Sequence, residues 1–115
     1  MGRSEREKGK RGERELAKEL TRVLGLPFAR TSQFCGTAGD SDVRCASLPH
    51  LHVESKFSET FSPYSAIEQA TGDASPGAVP IVCHRRRGKP WLVVLKLNDL
   101  LTLTTNLRDC PGERN

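Results

Sequence analysis

The pattern of apolar and polar positions predicts a long helix at the start of the chain and a half-buried strand near its middle. The helix is predicted over residues 4–24, and Gly25 is a suitable residue to end it. Its apolar residues recur at the spacing of one helical face: Leu16, Ala17, Leu20, Val23 and Leu24. Residues 51–57 alternate instead between apolar and polar side chains, which is typical of a strand with one buried face.

Two further strands are predicted between the helix and residue 51. They cover residues 28–31 and 42–45, and the second is expected to form a hairpin with residues 51–57. Glycines and small polar residues at 33–41 indicate a loop between the first two strands.

The second half of the chain adds a helix, two strands and a short final helix. Ser62 and Pro63 are expected to open the helix, which ends at Gly72. The strands are predicted at 79–83 and 91–95, both apolar on both faces as buried central strands are. The final helix is expected from Asn98 to Leu103, and the terminal residues 1–7 and 104–115 are expected to be frayed.

The resulting order α–β–β–β–α–β–β predicts an α/β fold, and a length of 115 residues predicts one domain, 1–115. The longest apolar run, residues 91–95, is far too short to cross a membrane. No export signal precedes the helix, so the cytoplasm is the expected location, or the host cytoplasm for a phage-encoded chain, with the cysteines reduced. No phosphate-binding loop of the G-x-x-x-x-G-K-[ST] type occurs, so a nucleotide cofactor is not expected.

Basic residues are concentrated in two segments of a chain whose net charge is +4 and whose pI is about 9.1. The candidates for DNA binding are Lys8, Lys10, Arg11 and Arg14 in the first helix, and Arg85, Arg86, Arg87 and Lys89 between the last two strands. Two basic patches favour a polyanionic partner. A solubilising terminus and a solvated turn are the alternative interpretation.

Candidate chemistry is concentrated on the middle strand. Glu54 and Lys56 point to the same face of this strand, about 7 Å apart along it. The hairpin would bring Asp42 beside Glu54, and the helical spacing turns Glu13 toward the body of the protein. Glu-x-Lys is also a common tripeptide that often consists of two solvated charges, and Glu13 is equally compatible with a hydrated first turn.

These residue types suit a divalent cation and a phosphodiester. Mg²⁺ prefers oxygen ligands, so Asp42 and Glu54 are predicted to bind it directly and Glu13 through a water. The backbone carbonyl of Ser55 is another candidate ligand, and Mn²⁺ is expected to substitute for Mg²⁺. Lys56 could orient the attacking water or neutralise charge in the transition state.

In this order the motifs resemble the PD-(D/E)-x-K nucleases, and more narrowly the archaeal-type Holliday junction resolvases and their phage relatives. The segment from Lys8 to Arg14 resembles the opening K-G-x-x-x-E-R of that family, although Ser41 stands where the family usually has proline before its aspartate. The matched positions are Glu13, Arg30, Asp42, Glu54, Lys56 and Gln69. The resemblance implies a catalytic role for Gln69, a DNA-binding role for Arg30, and a restriction-endonuclease-like fold with a mixed central sheet flanked by helices.

The resemblance further implies a Mg²⁺-dependent endodeoxyribonuclease of DNA recombination and repair that cleaves four-way junctions as a homodimer. Apolar surfaces near Phe57, Phe61 and Tyr64 are candidates for the dimer contact. Two alternatives remain open. One is a nuclease of the same superfamily acting on other branched, nicked or damaged DNA, and the other is a DNA-binding protein without catalysis.

Overall fold

The computed structural model describes residues 3–31 and 41–110, with side chains from residue 7 onward within these ranges. The helices are α1 (Arg3–Leu24), α2 (Pro63–Asp73) and α3 (Leu100–Asp109), and a 3₁₀ turn, Leu97–Asp99, precedes α3. The strands are β1 (Ala29–Arg30), β2 (Val43–Arg44), β3 (Leu51–Phe57), β4 (Val79–Arg85) and β5 (Leu92–Val94). The loop predicted at 33–41 lies, apart from Ser41, outside the described residues.

The strands form one mixed sheet in the order β1-β2-β3-β4-β5. The β3–β4 pair is parallel and the other three pairs are antiparallel. Parallel neighbours require a crossover connection, which α2 provides. The predicted α/β class and the hairpin of β2 with β3 are therefore confirmed.

Helices cover the two faces of the sheet unequally. On one face, α1 packs over the first three strands and buries Leu16 against Val43 and Val53. On the other face, α2 packs mainly on β4 through Ala66 and Ala70. Arg44 lies on the α2 side of the sheet and is exposed. On the polar face of the hairpin, Arg44 is therefore exposed while the neighbouring His52 is buried.

The prediction that residues 91–95 form a buried central strand is wrong. The strand β5 lies at an edge of the sheet, where Leu92 is 56% and Val93 is 51% exposed. Apolar composition predicts that a strand is stabilised by burial. It does not reveal whether another element of the same chain packs against that strand.

The ends of all three predicted helices also require correction. The last helix begins after Asp99 and reaches Asp109, so residues 104–109 are helical rather than a frayed tail. Leu103 and Leu107 pack against the core and stabilise these extra turns. The second helix passes Gly72 and ends at Asp73, while at the other terminus α1 already begins at Arg3. Among the described residues, no helix is both long and apolar enough to span a membrane.

Candidate active site

Asp42 is held between two strands by three hydrogen bonds. Its carbonyl accepts from the Thr31 N–H at 2.9 Å, and its own N–H donates to the Val53 carbonyl at 2.8 Å. Its carboxylate Oδ2 accepts from the Ser55 N–H at 2.9 Å. The side chain therefore takes a backbone donor of β3, which places its charge beside Glu54.

The environment of Asp42 favours the protonated acid. Burial, followed by the nearby charges of Glu54 and Glu13, raises the pKa of Asp42 to about 7, although the Ser55 N–H opposes this shift. Because no ion pair neutralises Asp42 within the described residues, the carboxylates repel one another. A divalent cation would relieve this repulsion.

Glu54 is fixed by a buried histidine on its own strand. His52 donates from Nε2 to Glu54 Oε2 at 2.7 Å, and the His52 side chain is only 3% exposed. The two residues alternate with Val53 along β3, so they share a face. This hydrogen bond restricts the Glu54 carboxylate, which also lies within hydrogen-bonding reach of the Asp42 side chain.

Glu13 is fixed by a cation from the first strand. Arg30 Nε donates to Glu13 Oε1 at 2.7 Å, and both side chains are largely buried. The neighbouring Gly12 permits the approach of α1 to β3, because a Cβ atom at this position would lie 3.0 Å from Phe57 Cβ. Arg30 keeps a buried Nη2 with no hydrogen-bond partner among the described residues, so one donor next to Glu13 remains unused.

Lys56 and Gln69 are less constrained than the carboxylates. Lys56 lies on β3 two residues beyond Glu54 and forms no ion pair within residues 3–31 and 41–110. Gln69 is exposed on α2, adjacent in sequence to the buried Ala70, and donates no hydrogen bond to the described carboxylates. The structure therefore brings Asp42 and Glu54 together beside Lys56, whereas it leaves Gln69 without direct contact to them.

The carboxylates do not form a preassembled metal cluster. In the part of the chain that the structure describes, no group of three or more His, Cys, Asp and Glu side chains is arranged to hold an ion. Two of the carboxylates are already engaged, because Glu13 pairs with Arg30 and Glu54 with His52. Burial raises the pKa of Asp42 first and the charges of Glu54 and Glu13 raise it further, and these carboxylates supply the oxygen ligands that a divalent cation prefers.

The two basic segments of the sequence meet at one aromatic ring. Lys8 Nζ lies 5.9 Å and Arg85 Cζ 5.6 Å from the centre of the Phe57 ring. Phe57 ends β3, so these cations lie beyond Lys56 at the same end of the sheet. The structure thus joins patches that are far apart in the sequence into one basic surface.

The basic residues differ in how available they are. Arg85 donates to Glu15 Oε1 at 3.0 Å and to the Lys89 carbonyl at 2.7 Å. Its guanidinium group therefore already bonds to two other parts of the protein. Lys10 Nζ lies 4.0 Å from Glu7 Oε2, which is the separation of a weak ion pair on the helix. The remaining candidates of these two segments have exposed side chains: Lys8, Arg11, Arg14, Arg86, Arg87 and Lys89.

Three residues of the site region were not singled out from the sequence. His52 and Arg44 lie on the polar face of the hairpin, and their alternation with Val53 and Val43 was a signal for this. Gly12 carries no local signal, because its contact with Phe57 depends on how the helix docks.

A mixed sheet with Asp42 directly before β2, and with Glu54 and Lys56 on the neighbouring strand β3, has the architecture of a PD-(D/E)XK nuclease. Residues 4–111 match the model of the family described as "Phage putative PDDEXK endonuclease", and the chain belongs to this family.

The fold is similar to that of a solved Holliday junction resolvase, Hjc from the archaeal hyperthermophile Archaeoglobus fulgidus. The TM-score is 0.56 at 22% sequence identity, over 76% of this chain and 72% of that chain. This likeness confirms the predicted restriction-endonuclease-like fold. A search of curated proteins finds no significant match.

Proposed function

We propose that this chain is a Mg²⁺-dependent endodeoxyribonuclease that cleaves four-way DNA junctions, with Mn²⁺ as a substitute ion. The observation that carries the proposal is that the Asp42 and Glu54 carboxyl groups lie side by side. Burial and the neighbouring carboxylate charges raise the pKa of Asp42 there to about 7. Membership of a PDDEXK endonuclease family supports the nuclease activity. Similarity in fold to a Holliday junction resolvase supports the choice of substrate.

Four groups of the chain are assigned to the ion. Asp42 and Glu54 hold it directly, the Ser55 carbonyl is a further oxygen ligand, and Glu13 acts through a water. The chemistry that a bound Mg²⁺ would supply here is polarisation of the scissile phosphate and a lower pKa for a coordinated water. His52 and Arg30 keep Glu54 and Glu13 in place through the contacts at 2.7 Å.

Lys56 completes the reacting centre from the same face of β3. Its ammonium group orients the attacking water or neutralises charge that develops on the phosphate in the transition state. Gln69 acts from α2 on the substrate rather than on the carboxylates, which it does not contact in the described structure. No side chain is required as a nucleophile.

DNA is held by the basic surface beyond the carboxylates. Lys8 and Arg85 meet at Phe57, and the exposed Arg86, Arg87 and Lys89 extend this surface along the turn. Lys10, Arg11, Arg14 and Arg30 are assigned to the same role. Contacts of lysine and arginine with phosphates provide affinity that decreases with salt.

The active form is assigned as a homodimer, since a four-way junction is cut on two opposed strands and each chain carries one site. Of the three aromatic residues considered for the contact, Phe57 and Phe61 are partly buried and only Tyr64 is largely exposed. We place the contact at β5, an edge strand with exposed Leu92 and Val93, next to Leu97, which is 82% exposed. Antiparallel pairing of two such edges about a two-fold axis satisfies their backbone groups and covers the apolar side chains.

A cleavage panel tests the proposal. Four-way junctions, flaps, nicked duplex and linear duplex of shared sequence are incubated with Mg²⁺, Mn²⁺ or a chelator. We expect paired nicks in the junction with either metal and none with the chelator. Equal cleavage of all substrates would leave a general nuclease, and binding without any metal-dependent cleavage would leave a DNA-binding protein.

The dimer is tested separately with Val93→Glu and Leu97→Glu. We expect a monomer by light scattering, and single rather than paired nicks. Val23→Glu is the matched control, because Val23 is also exposed but lies on α1, which packs over the first three strands rather than at β5.

A further inference from the structure

A groove of about 420 Å³ opens at the end of the β2–β3 hairpin that is farther from Phe57. Its lining includes Arg44 and His52 from the hairpin, Ser41 before β2, and Ser75 before β4. This volume lies in the range of sites for small ligands. The groove adjoins the carboxylates, because His52 lines it and also contacts Glu54.

The hairpin arranges its polar side chains in successive levels. Val43 is opposite Val53, and the next step of this register brings Arg44 beside His52. On the other side of this pair, the Asp42 N–H donates to the Val53 carbonyl and its carboxylate accepts from the Ser55 N–H, which places Asp42 beside Glu54. Alternate residues of a strand share a face and are about 7 Å apart. This separation is comparable to that of neighbouring phosphates along one strand of DNA.

Two cations therefore lie on either side of the carboxylate level. Lys56 lies on the side of Glu54 that faces the basic surface. Arg44 lies on the opposite side, between Asp42 and the groove at the hairpin turn. A DNA strand with its scissile phosphate at the carboxylates and its course along β3 would present one neighbouring phosphate to each cation.

Arg44 is available to such a phosphate. Its side chain is exposed, and within residues 3–31 and 41–110 it forms no ion pair. Each of four other arginines is paired with a carboxylate: Arg22, Arg30, Arg85 and Arg108. A guanidinium without a carboxylate partner can bind phosphate oxygens through two parallel hydrogen bonds.

The remaining lining combines hydroxyl groups with apolar side chains such as Leu48 and Ala78, which suits the sugar of a nucleotide rather than a cation. The Ser41 hydroxyl accepts a hydrogen bond from the Val53 N–H at 3.2 Å, and it donates to no described residue, so its proton can serve a ligand. Ser75 supplies a second hydroxyl. The groove contains no acidic side chain among its described lining residues.

Building on the proposed function, we propose that this groove is a subsite for the nucleotide next to the scissile phosphate, and that Arg44 binds the phosphate of that nucleotide. Arg44 is a substrate-binding residue in this assignment and takes no part in bond cleavage. The proposal adds a contact on the opposite side of the carboxylates from the basic surface.

The test measures DNA binding in a Glu54→Gln background, which separates binding from cleavage. Fluorescence anisotropy with a four-way junction and a linear duplex is recorded over a range of salt for Arg44→Ala, Arg44→Lys and Arg108→Ala. We expect Arg44→Ala to weaken binding about tenfold and to reduce the slope of log affinity against log salt by about one. Arg44→Lys should retain the slope, and Arg108→Ala should change neither quantity.

Uncharged methylphosphonate linkages then locate the contact. The wild-type protein in Mg²⁺ identifies the cleaved linkage, and each neighbouring linkage is neutralised in turn. We expect one linkage next to the cleavage position to weaken binding by the Glu54→Gln protein and to have no further effect once Arg44 is alanine.

The outcomes distinguish the two proposals. The subsite proposal is overturned if Arg44→Ala and Arg108→Ala show the same slope of log affinity against log salt. It is also overturned if the methylphosphonate linkage still weakens binding when Arg44 is alanine. A wild type that binds DNA but never cleaves it overturns the nuclease, while an Arg44-dependent linkage would still support a phosphate site in the groove. A wild type that binds no DNA overturns both.

Discussion

His52 Nε2 lies 2.7 Å from Glu54 Oε2, and this contact joins a buried ring to the carboxylate of the Glu-x-Lys motif. His52 is 3% exposed and Glu54 17%, so water competes weakly with the hydrogen bond. The orientation of Glu54 is therefore determined by its own strand before any substrate arrives.

We expect His52→Leu to impair metal use because Glu54 Oε2 then loses its donor. The cost should be about 10- to 100-fold in Mg²⁺ affinity or activity, as for other residues that support a ligating side chain. Mn²⁺ binding followed by electron paramagnetic resonance and the Mg²⁺ dependence of cleavage measure the two effects. His52→Gln retains a donor and should recover most of the loss.

His84→Leu is the matched control for this prediction. His84 is also buried on β4 and bonds to the Ser58 carbonyl at 2.9 Å, while its ring stacks on Phe61. We expect this variant to lower the melting temperature without changing the Mn²⁺ affinity. Equal losses of Mn²⁺ affinity in both variants would mean that His52 acts only through stability.

Glu54→Gln and Lys56→Ala should each reduce cleavage by about 100- to 1,000-fold. The reason is that the first removes a ligand charge and the second removes the ammonium group on the same face of β3. Junction affinity and the circular dichroism spectrum should remain close to those of the wild type. Glu13→Gln should be less damaging, because Glu13 acts through a water, and near wild-type turnover in either of the first two variants would contradict the site.

Asp42 makes stability depend on pH in a direction that can be tested. Its pKa is raised from 3.8 to about 7, so the folded protein holds a proton that the unfolded chain has already released between these values. Stability should therefore fall as pH rises from about 4 to about 7, and the cost should be fully present above pH 7.

We expect Asp42→Asn to raise the melting temperature by several degrees at pH 8 and to change it little at pH 4, while abolishing cleavage. Mg²⁺ should stabilise the wild type more at pH 8 than at pH 5, since ion and proton compete for Asp42, and should not stabilise the variant. Thermal melts with and without Mg²⁺ measure both effects. A melting difference between the variant and the wild type that is independent of pH would contradict the raised pKa.

The arginines at the end of β4 and in the turn that follows should separate into two kinds. Arg86→Ala with Arg87→Ala should reduce the slope of log affinity against log salt by about two without altering stability, because both side chains are exposed. Arg85→Ala should instead lower the free energy of unfolding by about 1 kcal/mol, since Arg85 bonds to Glu15 and lies against Phe57. Salt titrations of DNA binding and denaturant unfolding distinguish the two kinds. An unchanged slope of log affinity against log salt in the double variant would mean that the turn does not contact DNA.

The sequence by itself determined the features that depend on local periodicity. The apolar spacing of α1 and the alternation along β3 predicted both elements, and the same alternation placed Glu54 and Lys56 on one face. Such features are predictable because the direction of a side chain on a helix or strand depends only on its position within that element.

Only the tertiary structure decided which of these elements meet and what covers them. The raised pKa of Asp42 depends on burial and on Glu54 and Glu13 from two other elements, and the contacts of Lys8 and Arg85 with Phe57 join distant segments. The exposure of Val93 likewise depends on the position of β5 at the edge of the sheet. These properties come from packing between residues that are far apart in the chain, and periodicity within one element carries no information about such packing.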